Sequence, residues 1–270
     1  MSGLNFGGLT ALFAVAALAG CFDAIAGGGG LLTIPALLLA GLDPVSAIAT
    51  NKLQGAAATL SATAAFARQR LIHWRSAGPV AITAGLGSVV GAFCVSLVSR
   101  PVLEGLVPVL LIAVAVYFAL GRRMREEDAQ ARVSPLVFVG GVAPAIGFYD
   151  GMFGPGGGSF YMLGFVSLLG YGVLRATAHT KLANAASGLG SLGVYTATAA
   201  VVWPVGLVMA FGAVLGAQVG SRLAIRLGAR LIRPLLIVVC SGLTIRLLWE
   251  PTNPLHKAMM GVICSVTKAC

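Results

Sequence analysis

Four ionisable residues lie inside, or at the edge of, stretches that are otherwise apolar: Asp23, Lys52, Asp150 and Lys181. A charge near the bilayer centre costs ~2.5 kcal/mol or more, so a residue of this kind is a functional candidate by default. The four form two matching sets. Asp23 opens DAIAGGGG and Asp150 opens DGMFGPGGG, while Lys52 and Lys181 fall at the same position of GLDPVSAIATNKL (41–53) and GYGVLRATAHTKL (170–182), which align without gaps. Lysine brings a compact charge with three donors. Glycine runs ahead of a helix bring free backbone N–H groups and the positive end of the helix dipole, with no Cβ in the way. Together these residues suit a small oxyanion. The candidate substrate-binding set is therefore Lys52, Lys181, Gly28, Gly29, Gly30, Gly156, Gly157 and Gly158, with Asn51 and Thr180 beside the lysines. Asp23 and Asp150 could cap a half-helix, pair with a lysine or accept a coupling proton. His179, which replaces Thr50 of the first set, suits proton relay or plain packing. Gln54 and Asn184 are further polar candidates close to the lysines. The alternatives are a cation or metal carrier using Asp23, Asp150 and His179, against which two lysines and two aspartates leave no net negative site, and a non-transporting membrane protein.

The whole chain is apolar enough to take the bilayer as its solvent: of 270 residues, 58% are hydrophobic and 10% charged, with mean hydropathy +0.94. The net charge of +10 does not indicate nucleic acid, because the arginines fall between apolar segments and no basic run interleaves with aromatics. Cys21, Cys94, Cys240, Cys264 and Cys270 show no metal or disulfide spacing. No H-E-x-x-H, G-x-S-x-G or Cys/His ligand set occurs, so no enzyme, catalytic residue, metal or cofactor is expected.

Cutting at charged, Pro and Gly punctuation gives ten segments: about 4–22, 28–41, 44–67, 78–98, 101–121, 135–151, 156–170, 172–200, 204–223 and 231–249. The second and seventh are shorter than the ~20 residues a spanning helix needs, so they read as half-helices or re-entrant pieces. The first lacks a basic n-region and is expected to stay in the mature protein. Twelve of the fourteen arginines fall in loops that alternate to one face, which is cytoplasmic by the positive-inside rule; Arg100 and Arg246 are the exceptions. Both termini are then periplasmic, in a multi-pass protein of a bacterial cytoplasmic (inner) membrane.

The matching sets imply a duplication. Gly87–Ala92 (GSVVGA) also resembles Gly212–Ala217 (GAVLGA). The expected fold is an all-α polytopic membrane protein of two five-segment repeats, 1–121 and 135–250, with short half-helices preceded by Gly-rich turns. A charged cytoplasmic linker, 122–134, joins them, and 251–270 is a tail. Five is odd, so the repeats are inverted, which points to a secondary transporter with its site at the repeat interface and alternating access. Its partners would be the bilayer and a small anion, with protons as a candidate coupling ion and a homo-oligomer compatible with the sequence.

The segments FDAIAGGGGLLTIPAL (22–37), ATNKLQ (49–54), GFYDGMFGPGGGSF (147–160), ATAHTKL (176–182) and GSRLAIRLGARLIRP (220–234) resemble the TauE/SafE family, also called the toluene-sulfonate uptake permease family, and its YfcA-like branch. The resemblance covers residues 8–250. It implies a helical carrier without an organic cofactor, acting on sulfite, an organosulfonate such as sulfoacetate, or another sulfur oxyanion, and leaves the direction of transport open.

Overall fold

The computed structural model describes residues 6–94, 127–154, 156–198 and 200–228, with 230–232, 234, 235 and 238 beyond them. The fifth expected segment, most of the tenth, the arginines of 122–125 and the tail lie outside the described residues. Among those described, every regular element is helical: α1 (Phe6–Ala26), α2 (Gly30–Leu39), α3 (Pro44–Arg68), α4 (Trp74–Cys94), α5 (Pro135–Met152, with a π-turn at Phe138–Val142), α6 (Gly157–Ser167), α7 (Val173–Ala197) and α8 (Trp203–Leu227). α2 and α6 have 10 and 11 residues. At 1.5 Å per residue they reach about 15 Å, half a bilayer core.

Among the described residues, four helices are long and apolar enough to cross a membrane: α1, α4, α5 and α8. α3 and α7, each of 25 residues, carry the polar residues and bury them, including Asn51, Lys52, Gln54, His179, Thr180 and Lys181. They form the centre, and the apolar helices stand around them. α4 turns Ile82, Leu86, Val90 and Phe93 outward, and α8 turns Leu207, Phe211, Leu215 and Val219 outward. Both series recur at three- and four-residue spacing, the period of one helical face.

The opposite faces of these helices are built from small residues. A Cβ on Gly87 or Gly91 would overlap the backbone of Pro144 or Phe148 in α5, and one on Gly216 or Gly220 would overlap Ala17 or Cys21 in α1. Hydrocarbon gives no hydrophobic drive between helices, so close backbone approach supplies the packing. The contacts also set direction. Ala84 and Ser88 lie against Gly147 and Gly151, so α4 and α5 run parallel; Phe13, Ala17 and Cys21 lie against Gly212, Gly216 and Gly220, so α1 and α8 do too. Thr50 near the start of α3 accepts from Val202 beyond the end of α7, and His73 beyond the end of α3 stacks on His179 near the start of α7, so those two are antiparallel. In this arrangement Gly87 and Gly91 play the parts of Gly216 and Gly220, one turn beyond the sequence match to Gly212 and Gly216. A glycine every fourth residue looks the same after a slip of one turn, and only the partner helix fixes the register.

The described part of the linker docks on the α6–α7 turn. Ala129 N donates to Gly170 O, and Arg132 and Val133 N donate to Leu168 O at 2.6, 2.8 and 3.3 Å. Gly172 has no capping side chain, and Asp128 takes that role: its carboxylate accepts from Gly172 N at 2.8 Å and from Arg175, whose guanidinium lies 3.9 Å over the Tyr171 ring. Partial burial raises the Asp128 carboxyl, but the Gly172 N–H and Arg175 outweigh it and hold it below the usual 3.8. A lowered carboxylate stabilises the fold above its unfolded pKa, and that contribution is lost as pH falls through the folded value.

Replacing Gly216 by Val should cost about 1–3 kcal/mol through backbone overlap. Gly193→Ala, where an added Cβ meets nothing within 4 Å, should leave stability unchanged or raised. Thermal unfolding of both variants in detergent checks the contrast, and equal melting temperatures would contradict the packing assignment. Asp128→Asn should cost no more than ~1 kcal/mol at neutral pH, as an exposed pair does. Its melting temperature should converge with the parent's as pH falls below 3.8.

Candidate functional site

Two interruptions of the helical path meet at the centre. Gly27 and Gly28 (φ +80° and +100°) separate α1 from α2, and Gly154 and Gly156 (φ +89° and +87°) separate α5 from α6. These left-handed conformations are open to glycine at little cost. The turns touch: a Cβ on Gly158 would come 3.0 Å from Gly27 Cα, and one on Gly27 would come 2.9 Å from Gly158 C.

Breaking a helix inside a membrane leaves its last carbonyls without partners. The lysines donate to one carbonyl at each break, each across the molecule; that of Asp150 takes no backbone donor among the described residues, whereas that of Asp23 also accepts from Gly27 N at 2.9 Å. Lys52 on α3 donates to the backbone carbonyl of Asp150 at the end of α5, with the Asp150 carboxylate 3.4 Å away. Lys181 on α7 donates to the backbone carbonyl of Asp23 on α1, with the Asp23 carboxylate at 3.3 Å. The lysines are 4% and 1% exposed. Each is the ninth residue of its helix, about 12 Å in from the start. Because α3 and α7 are antiparallel, the two pairs lie toward opposite ends of the bundle.

The aspartates are further fixed. Asp23 Oδ1 accepts from Gly29 N at 3.1 Å, in the turn before α2, and Asp150 accepts from the Ser187 hydroxyl on α7. Asn51 Oδ1 accepts from Thr33 Oγ1 at 2.5 Å and from Gln54 Nε2 at 2.8 Å, which ties α2 to α3.

Between the pairs lies a cavity of about 540 Å³, open space at its mouth included. Asp23, Gly28, Gly29, Gly30, Asn51, Lys52, Asp150 and Gly158 form its wall, with Gln54, Thr59, Gly154 and Asn184. Lys181, Thr180, Gly156 and Gly157 are not in that wall; Lys181 is turned to Asp23, and Gly157 packs on the Asp150 carboxylate. His179 lies apart from it. Its Nδ1 is 2.9 Å from Arg175 O, and its ring is surrounded by His73, Phe165 and Tyr171 with centroids at 5.1–6.1 Å. That is a packing environment at the linker end of α7. Thr33, Thr59 and Ser187 join the polar centre without having been singled out by the sequence; the available signal was a hydroxyl in an apolar segment, shared with many residues that only bond their own helix.

Chemically, the centre offers paired charges that sum to zero, amide donors and the first-turn N–H groups of two half-helices. Among the described residues, no group of three or more His, Cys, Asp or Glu side chains could hold a metal ion.

Removing one member of a buried pair leaves the other charged and unpaired. Lys52→Met alone should therefore destabilise the protein by about 3–5 kcal/mol, while Lys52→Met with Asp150→Leu should recover a large part of that loss. The double-mutant cycle is read by thermal unfolding in detergent, and additive losses would show that the pair is not coupled.

Comparison with known proteins places these features in a family. The family profile described as "Sulfite exporter TauE/SafE" matches residues 12–247. The chain is 50% identical over 256 residues to the "Probable membrane transporter protein ORF9" of a Sinorhizobium species, covering 95% of this chain and 98% of the relative. It is 44% identical over 242 residues to the "Probable membrane transporter protein YfcA" of Escherichia coli (strain K12), covering 90% of each. A "Probable membrane transporter protein" of Haemophilus influenzae is 38% identical over 90% of this chain and 95% of its own. No solved structure matches the chain. With its buried Lys–Asp pairs, broken helices and lipid-facing exterior, the chain belongs to the TauE/SafE family of membrane transporters.

Proposed function

We propose that this protein is a secondary transporter that moves a small anion, a sulfur oxyanion or organosulfonate, across the bacterial cytoplasmic membrane by alternating access. The observation that carries the reading is the crossed pair of buried ion pairs, one toward each end of the central cavity. Each links a lysine of one half to an aspartate of the other. α1, α3 and α8 run opposite to α4, α5 and α7, as two inverted repeats of one unit would. The repeats are 1–121 and 135–250, and both termini are periplasmic.

The anion sits in the cavity against the Gly28–Gly30 turn, Gly158, Asn51 and Lys52. Opening toward one face requires the pair at that end to part while the other holds. An incoming anion takes over from the aspartate as the lysine's counter-charge, so the pair that yields is re-formed after release. Lys181 meets the anion when Asp23 releases it, with Thr180 beside it. The sulfur chemistry rests on the family's description as a sulfite exporter.

Proteoliposomes holding the purified chain should show saturable counterflow of 35S-sulfite, competed by taurine but not by sodium or divalent cations. Lys52→Arg, which keeps the charge but changes its shape, should lower the rate at least tenfold while the protein still melts cooperatively. Counterflow of a divalent cation instead would favour the cation-carrier reading, and parent-like rates in the variant would remove Lys52 from the path.

A further inference from the structure

Once both lysines are assigned, the cavity's remaining polar groups have an uneven character. Lys52 and Lys181 each face an aspartate carboxylate and donate to an aspartate carbonyl, so the four buried charges cancel. Asn51 spends its oxygen on Thr33 and Gln54, and its Nδ2 has no acceptor among the described residues; it lies beside Gly30, whose Cβ would come 3.0 Å from it. The N–H groups of Gly30 and Gly158, at the starts of α2 and α6, likewise find no acceptor among the described residues. These are donors and suit an oxyanion.

Two amide oxygens run the other way: Gln54 Oε1, which takes no donor among the described residues, and that of Asn184. Asn184 stands in the cavity wall against Gly158, is 9% exposed, and its Oδ1 is buried with no hydrogen-bond partner. An unmatched buried acceptor is costly, and a native structure that keeps one requires a reason. The equivalent position in the first half is Gly55, also in the wall, so the first half has no amide at the matching place. An acceptor in an anion site repels a bare oxyanion and attracts a ligand that brings a hydrogen. The cancelled charges act in the same direction, since a second negative charge would enter the cavity uncompensated.

We propose that Asn184 reads a hydrogen on the substrate: the transported anion carries one negative charge and, beside it, an O–H or N–H donor. This rests on the anion reading above. The donors at Gly30, Gly158 and Asn51 hold the charged oxygens, while Asn184 Oδ1 accepts the ligand's hydrogen and so excludes anions of the same size that lack one. A site built to accept a hydrogen discriminates strongly against the analogue without it.

The test compares two monovalent sulfonates of equal heavy-atom count, 2-hydroxyethanesulfonate and propane-1-sulfonate, with sulfate as the dianion. Binding to the full chain in detergent is read by isothermal titration. The parent should bind the hydroxy compound at least tenfold more tightly than propanesulfonate, and sulfate more weakly than either. Asn184→Leu should bring the two sulfonates within about twofold of each other, chiefly by weakening the hydroxy compound. The milder Asn184→Ser should give an intermediate ratio. Equal binding of the two sulfonates by the parent, tighter binding of sulfate, or an unchanged ratio in both variants overturns the inference. Binding of sulfite but of neither sulfonate, at a pH alkaline enough for sulfite to be the hydrogen-free dianion, also overturns it, while leaving the anion reading standing. Absence of binding by every anion overturns both.

Discussion

The rest of the structure depends on how an ammonium group satisfies a broken helix inside lipid. A helix that stops in the membrane leaves carbonyls that no water can reach. Here Lys52 donates to a carbonyl of that kind, Lys181 adds a second donor to the Asp23 carbonyl that Gly27 N already meets, and the aspartate bearing each carbonyl supplies the counter-charge. One contact thereby serves the backbone, neutralises a buried charge and joins two distant parts of the chain. Without Lys52 the carbonyl of Asp150 would be left without a donor among the described residues. Without the turns, the lysines would be buried cations beside an intact helix.

The small-residue faces make this contact possible. Lys52 can reach Asp150 only because α4 and α5 approach until glycine meets backbone at Gly87, Gly91, Gly147 and Gly151, and α1 and α8 do the same at Gly20, Gly212, Gly216 and Gly220. The tight outer pairs flank the polar α3 and α7, whose lysines bond back to Asp150 on α5 and Asp23 on α1.

The two halves are alike in frame and unlike in lining. Asn51 and Asn184 both approach the first residues of a half-helix, yet they are not equivalent positions: Thr180 matches Asn51, and Gly55 matches Asn184. The two lysines also differ, since Lys52 lines the cavity and Lys181 does not.

The sequence by itself determined the helical segments among the described residues, the two interruptions and the polar residues that had to be central. Glycine runs break helices wherever they fall, apolar length measures itself against the bilayer, and a lysine in an apolar segment is costly in any fold. Observed α2 and α6 lie within the expected 28–41 and 156–170. Only the tertiary structure decided which partners met. That Lys52 takes Asp150 rather than its own half's Asp23 depends on how helices cross, and local periodicity carries no record of crossings. The same holds for Gly87 against Gly216, where a four-residue glycine period is blind to a one-turn slip. His179 illustrates it most simply: its type suits proton relay, but its position on α7 sends the ring into His73, Phe165 and Tyr171, while Asn184, five residues on, faces the cavity.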